Sequence, residues 1–381
     1  MNLAGSRISV VSSICVPHDA ISYSVAETAR ILDSVSPGNV RVFSLRNDVD
    51  GIPGRTVSGV GDLLTDSHWL SSDILIFHYG IHYDLFDALI CGNGRALRLA
   101  RFHNVTPREL VPAHATPTID RSLEQMANLG WADHVWCDSD FNRAALVDMG
   151  LPTERLSTLS LPVVVPDAAP GAVRSDGQSP VTLLYIGRLV RSKGVHDLVR
   201  AAIELRDSGI GGFRIMLAGS RDFSDDEFTA SLERLVAEAG AQECVTFCGE
   251  VSETEKARLM EAAHALVIPS YHEGFCMPVV EALGRGCFII GYAAGNTPVV
   301  TAGFGSLVLP GDVRSLRGAM ESFVKSIRKD ADPVVVTDGH GCMRFSEFRK
   351  RAHAYATGFS PFRFRERLLL SLDTIIGRRA R

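Results

Sequence analysis

Long apolar runs are missing from this chain: no stretch of its 381 residues approaches the 18 or more uninterrupted apolar residues of a membrane span, so no bilayer-crossing helix is expected. Cysteines at metal-site spacing are missing too. Eight stand at positions 15, 91, 137, 244, 248, 276, 287 and 342, none in a C-x-x-C pair, and Cys244 and Cys248 alternate with apolar neighbours in "CVTFC". That pattern speaks against zinc and for buried, reduced thiols. The first ten residues, "MNLAGSRISV", hold a short apolar strand in place of a basic leader and apolar core, so the chain is read as cytosolic. An excess of positive charge is also absent. The formal net charge of -5 counts against general nucleic-acid binding. Lysine is scarce, five against 34 arginines, and basic residues gather late, with ten Lys+Arg against three Asp+Glu over residues 341–381.

What is present fits a compact globular protein, with 46% hydrophobic and 22% charged residues. The length suggests two domains of about 150 to 200 residues and hence two cores. Short apolar runs recur between helical stretches. In the first half they lie at 7–14, 40–45, 73–79, 97–103, 134–137 and 155–159, with helical candidates at 23–33, 118–130 and 140–149. Proline and small polar residues then crowd "LPVVVPDAAPGAVRSDGQSP", residues 161–180, and the alternation restarts at "VTLLYIG" (181–187). Strands follow at 213–219, 244–249, 265–270, 287–292 and 305–312, with helices at about 195–207, 225–239, 253–263, after Met277, and at 313–328. Strands alternating with helices imply parallel sheets covered on both faces. The expected division is a first α/β domain over 1–165, a linker at 166–180, a second α/β domain over 181–340 and C-terminal helices over 341–381. Residues 331–341 have no clear placement. Two doubly wound domains in tandem are expected to face a cleft at their strand ends.

The chemistry concentrates in the second half. "YIGRLVRSKGVHDLVRAA" (185–202) ends a strand at Gly187 and then presents Arg188 and Lys193 before a helix, an arrangement that suits a diphosphate. A solvated basic turn is the competing reading, and "GRLVRSKG" fits neither a P-loop nor a G-x-G-x-x-G fingerprint. "YHEGFCMPVVEALGRG" (271–286) places Glu273 in a glycine-bounded turn and Glu281 in the early helix, with Pro278 at its start. Gly274 frees the backbone to present the amides of Phe275, Cys276 and Met277, which attract anions, while a carboxylate can accept bonds from sugar hydroxyls. Helix capping alone would also account for these residues.

Together, "GRL" plus "SKG" and, about 80 residues later, "PSYHEGFCMPVVEALGRG" resemble the retaining glycosyltransferases of family 4, whose signature is E-x7-E within PS-x-x-E-G-F/G-x-P-x-x-E-A-x-x-x-G. The likeness is close over 181–312 and looser over the first domain. It implies the GT-B fold, two Rossmann-like domains about a central cleft, and transfer of a hexose-like sugar from a nucleotide diphosphate sugar to a hydroxyl. By the resemblance, Arg188 and Lys193 would bind the donor diphosphate. Glu273, with the amides from Gly274 to Met277, would bind the donor sugar, and Glu281 the ribose. Ser220, Arg221 and Val251 would lie near the base or ribose. No metal and no cofactor are expected, since Arg188, Lys193 and helix amides can meet the charge on the leaving diphosphate. The donor base is left open, UDP- or GDP-sugars being the foremost expectation.

On the acceptor side, "RFHNVTPREL" (101–110) puts His103 and Asn104 just past a strand, and by similarity to the "YHNITP" segment of some relatives His103 would contact the donor sugar. His18 and Asp19, in the first strand-to-helix loop, stand where many relatives carry glycines and are candidate acceptor contacts. Asp19 reads equally as a helix cap. "GYAAGNTPVV" (291–300) departs from the Gly-x-Pro-Glu of many relatives, with Asn296 to Val299 in its place, which bears on sugar preference. A glycan, a lipid-linked glycan or a small molecule is the expected acceptor. By the resemblance, the C-terminal helices over 341–381 would cross back to the first domain, and their basic faces suit peripheral contact with an anionic membrane on its cytoplasmic face. A GT-B nucleotide-sugar epimerase and a noncatalytic sugar- or partner-binding protein are the competing readings.

Overall fold

The computed structural model describes residues 3–171, 179–219 and 225–379. The chain divides into two compact units, Met1–Pro162 with Pro361–Arg381, and Val163–Ser360. Each is built on its own parallel sheet.

In the first unit seven strands run β1 (Ile8–Val11), β2 (Val40–Ser44), β3 (Gly54–Thr56), β4 (Ile74–Tyr79), β5 (Leu97–Phe102), β6 (His134–Cys137) and β7 (Leu156–Thr158), in the spatial order β3-β2-β1-β4-β5-β6-β7. All pair in parallel. Because side chains alternate across a strand, β4 sends Ile74 and Ile76 into one core and Leu75, Phe77 and Tyr79 into another, which is why it reads as an unbroken apolar run. The first face is covered by α1 (Ala20–Val35) and by a helix from the far end of the chain, α10 (Pro361–Arg379). The latter buries Phe364, Leu368, Leu372, Ile375 and Ile376, a stripe at helical spacing, against this sheet. Its polar face leaves Arg363, Arg367, Arg378 and Arg379 exposed. Strand β3 escapes the apolar pattern because all three of its residues are exposed.

The second unit holds β8 (Val181–Ile186), β9 (Phe213–Ala218), β10 (Val245–Gly249), β11 (Ala265–Ile268), β12 (Phe288–Tyr292) and β13 (Gly305–Val308), ordered β10-β9-β8-β11-β12-β13. Its principal helices are α4 (Val195–Asp207), α5 (Asp226–Glu238), α6 (Glu253–Ala262), α7 (Met277–Gly284), α8 (Val313–Ile327) and α9 (Phe345–Ala356); the first unit contributes α2 (Thr116–Gln125) and α3 (Asp140–Asp148) besides α1. Both sheets are doubly wound and Rossmann-like, with the order reversing beside β1 and beside β8. Ligands of such sheets bind past the strand ends at that reversal. Among the described residues no helix is long and apolar enough to cross a membrane.

Two local differences from the sequence reading have physical causes. The segment 331–341 is the start of an antiparallel hairpin, Val334–Thr337 with Gly341–Arg344, turning through Asp338 to His340. Its Val-Val-Val-Thr run and Asp-Gly turn carry that signal. The helical candidate at 118–130 is an α-helix only to Gln125 and tightens to a 3₁₀ turn over Met126–Trp131.

One buried ring makes the first unit acid-sensitive. His134, bonded through Nε2 to Ser157 Oγ at 2.7 Å, is pushed down to about 4 by burial, with Arg378 adding in the same direction. It stays neutral when folded, while the unfolded chain takes up its proton below about 6.5. Stability is therefore undiminished above that pH and falls as the pH drops towards about 4. His134→Gln is expected to remove about 2 to 3 kcal/mol of the acid loss, read as a smaller drop in the urea midpoint between pH 7.5 and pH 4.5 than in the unsubstituted protein.

Candidate functional site

At the exit of β8 the chain passes through Gly187 and exposed Arg188, makes a 3₁₀ turn over Arg191–Lys193, and enters α4 through Gly194 at φ 64. The Tyr185 hydroxyl donates to the Arg188 carbonyl at 2.8 Å and anchors this turn to the strand. At the exit of the neighbouring β11 the chain runs Pro269 to Cys276 and enters α7. The two exits are stitched together where the Tyr271 amide donates to the Ser192 carbonyl at 2.9 Å. They also approach closely at Gly194, where an added Cβ would lie 1.9 Å from the Pro269 carbonyl oxygen.

This stitching brings Lys193 Nζ to 2.7 Å from Glu273 Oε1. Glu273 is only 9% exposed. Its backbone is braced by the loop after β12: the Asn296 amide donates to the Glu273 carbonyl at 2.8 Å, and Asn296 Nδ2 donates to the Phe275 carbonyl at 3.1 Å. Gly295, at φ 54, allows that approach, because a Cβ there would stand 2.4 Å from the Glu273 carbonyl oxygen. The segment that departs from many relatives thus holds the first glutamate in place.

Cys276, at the N-cap of α7, adopts a left-handed backbone at φ 72, an uncommon conformation for a residue with a Cβ. Burial foremost, and Glu273 next, push its thiol well above the usual range, so it is a neutral side chain rather than a nucleophile. Pro278 lies in the first turn and brings no N–H. Glu281, one turn on, faces Lys256 Nζ at 3.1 Å, and that ammonium also meets Glu253 Oε2 at 2.7 Å. Burial pulls Lys256 down, and the two carboxylates outweigh it and hold it above the usual lysine range. Asp197, on α4, accepts from the hydroxyls of Tyr271 at 2.6 Å and Tyr292 at 2.9 Å, tying the exits of β11 and β12 to one buried carboxylate. Val251 precedes the Ser252 capping box of α6 and is half-buried. Ser220 and Arg221 lie outside the described residues.

In the first unit, His103 follows β5 with both ring nitrogens engaged. Nδ1 lies 2.7 Å from Asp138 Oδ2 and Nε2 lies 2.9 Å from His78 Nδ1. Arg101 Nε donates to the other Asp138 oxygen at 2.8 Å and stacks over the Phe364 ring of α10. Burial alone would raise the Asp138 carboxyl, but His103 and Arg101 outweigh it and hold it below the usual range. As a carboxylate it only accepts, so His103 Nδ1 carries the proton between them. Burial foremost keeps His78 well below the usual imidazole range, hence neutral. Asn104, at φ 90, donates through Nδ2 to Asn142 Oδ1 at 2.9 Å. His18 is exposed at φ 59, and Asp19 caps α1, accepting from the Ser22 amide at 2.7 Å.

Residues 174–334 match the family model described as "Glycosyl transferases group 1". The chain has a GT-B-like fold, and its second unit is related to the group 1 glycosyl transferases. Over 143 residues it is 34% identical to the glycogen synthase of Mycobacterium tuberculosis, covering 37% of this chain and 31% of that protein. Over 144 residues it is 32% identical to the D-inositol 3-phosphate glycosyltransferase of Mycobacterium ulcerans, covering 37% and 30%. The chain therefore matches about a third of the length of these curated relatives. HepE from Anabaena, solved in complex with UDP and glucose, superposes with a TM-score of 0.74 at 16% identity, over 97% of this chain and 100% of that one.

Sequence reasoning passed over Asp138, Lys256, Asp197 and the bracing role of Asn296. Lys256 had one faint mark, as the second of only five lysines. The others meet their partners across separations of 35 residues for His103 and Asp138, and 74 and 95 for the two tyrosines of Asp197, where no local spacing rule reaches.

Proposed function

We propose that the protein is a retaining glycosyltransferase, moving a hexose-like sugar from a nucleotide diphosphate sugar to a hydroxyl of a glycan, a lipid-linked glycan or a small molecule, in polysaccharide or glycoconjugate synthesis in the cytoplasm. The observation that carries this reading is the meeting of Lys193 and Glu273 at the sheet's reversal, between exposed Arg188 and the start of α7.

In this reading the diphosphate lies against Arg188, Lys193 and the first amides of α7, which supply positive charge where the leaving group becomes negative. Glu273 accepts from donor-sugar hydroxyls, and Glu281 from the ribose. The sugar C1–oxygen bond to the phosphate breaks as the acceptor oxygen bonds to C1 on the same face. The acceptor proton passes to the departing phosphate oxygen, and the α configuration is kept. His103 is the proposed contact to the donor sugar from the first unit, its Nε2 exchanging His78 for a sugar hydroxyl while Asp138 keeps Nδ1, with Asn104, His18 and Asp19 on the acceptor side. The charges come from side chains and amides, so transfer is expected to persist in EDTA. A lipid-linked acceptor would bring the protein to an anionic membrane face, for which the exposed arginines of α10 supply charge.

The test is a screen of purified protein against UDP-, GDP- and ADP-sugars, following nucleotide release with and without hydroxyl-bearing acceptors and assigning the product anomer by NMR. Acceptor-dependent release with an α product, lost in Glu273→Ala, is the expected result. Conversion of the nucleotide sugar to an epimer, or binding with no turnover across a broad acceptor panel, would overturn transfer.

A further inference from the structure

Two of the chain's five lysines sit on the two glutamates of the E-x7-E pair, and they do so unequally. Lys256 bridges Glu281 and Glu253, the latter three residues earlier on its own helix and 65% exposed. Its ammonium remains compensated whatever enters the site. Lys193 instead stands on a loop turn where, among the described residues, it meets one carboxylate, Glu273, whose side chain is 11% exposed. In the donor reading above, on which this inference rests, Lys193 serves a diphosphate and Glu273 serves sugar hydroxyls. In this structure each occupies the other.

Filling the site is then an exchange. A diphosphate that draws the ammonium away leaves a nearly buried carboxylate without its counter-charge, and such a group is costly unless new donors reach it. The hydroxyls of an attached sugar are such donors. A nucleoside diphosphate without a sugar brings none.

We propose that the Lys193–Glu273 ion pair acts as a built-in competitor for the nucleoside diphosphate, one that intact nucleotide sugar overcomes and spent nucleotide does not. Donor is thereby favoured over product at the same phosphate site. After transfer Glu273 reclaims Lys193 and helps to expel the nucleotide.

The exchange makes an unusual prediction, that deleting a charge at the site tightens a ligand. Calorimetric titration of the full chain with UDP, GDP and ADP, and with the matching sugar nucleotides, is compared for the unsubstituted protein, Glu273→Gln, Lys193→Met and the double variant. Glu273→Gln is expected to bind the nucleoside diphosphate about tenfold more tightly, while its preference for the sugar nucleotide shrinks by at least as much. Lys193→Met is expected to bind both more weakly, and in its background Glu273→Gln should give no gain. Glu281→Gln is the contrast, expected to weaken both ligands. Unchanged or weaker nucleoside diphosphate binding by Glu273→Gln, with Lys193→Met still impaired, overturns the exchange and leaves the donor site standing. Failure of the unsubstituted protein to bind any of these nucleotides overturns the donor reading itself.

Discussion

Arg188→Met is expected to lower kcat for sugar transfer by about a hundredfold or more while leaving thermal stability within about 0.5 kcal/mol. The reasoning starts from exposure. The Arg188 side chain is open to solvent at the exit of β8, and the hydrogen bond that anchors this turn uses its carbonyl rather than its guanidinium. Removing the charge therefore spares the fold. A cation that meets negative charge growing on a leaving diphosphate acts more strongly in the transition state than in the ground state, so its loss should fall on kcat more than on KM. Arg188→Lys should recover part of the rate, since it keeps the charge but not the planar two-pronged donor. Steady-state kinetics with saturating acceptor separate these outcomes. An equal kcat for Arg188→Met and the unsubstituted protein would remove Arg188 from the reacting centre.

The second large effect is expected at Gly194. Its φ of 64 disfavours any side chain, and a Cβ would lie 1.9 Å from the Pro269 carbonyl oxygen, a backbone atom that cannot rotate away. Gly194→Ala must push the β8 exit away from the β11 exit, breaking the Tyr271-to-Ser192 bond and drawing Lys193 off Glu273. A loss of about 3 kcal/mol or more in stability is expected, together with at least a hundredfold fall in transfer. Gly318 is the control: it lies within α8 with nothing within 4 Å of an added Cβ, and Gly318→Ala should be neutral or stabilising by up to about 1 kcal/mol. Denaturant titration of both variants, paired with steady-state transfer kinetics, reads the two effects. If Gly194→Ala matches the control, the close approach does not hold the site together.

How far the site could be seen in advance follows from the range of each interaction. The helix expected at 195–207 is observed over Val195–Asp207, and that expected at 253–263 over Glu253–Ala262, since apolar periodicity and the Ser252 capping box act within a few turns. The two glutamates were visible because their spacing is a property of one loop and one helix. The hairpin at 334–344 was missed although its Asp-Gly turn was in view, because Val-Val-Val shows no apolar–polar alternation in residue type, and only the fold decides that Val334 and Val336 are exposed while Val335 and Thr337 are buried. His103 could be singled out by its place past a strand. That Asp138 and His78 hold both of its nitrogens depends on parallel pairing of β4, β5 and β6, which no stretch of sequence announces.

By itself, then, the sequence determined that this chain builds two doubly wound α/β units and carries a glutamate pair at a strand-to-helix turn, because strand alternation, helix periodicity and turn chemistry are encoded over a dozen residues or fewer. Only the tertiary structure decided what those groups meet. Lys193 reaches Glu273 across 80 residues and Lys256 reaches Glu281 across 25, and Asn296 closes behind the first glutamate from a third loop. Those meetings arise from which strands lie side by side and from a glycine that lets two backbones touch, and a buried carboxylate takes its chemistry from whichever charge the fold sets beside it.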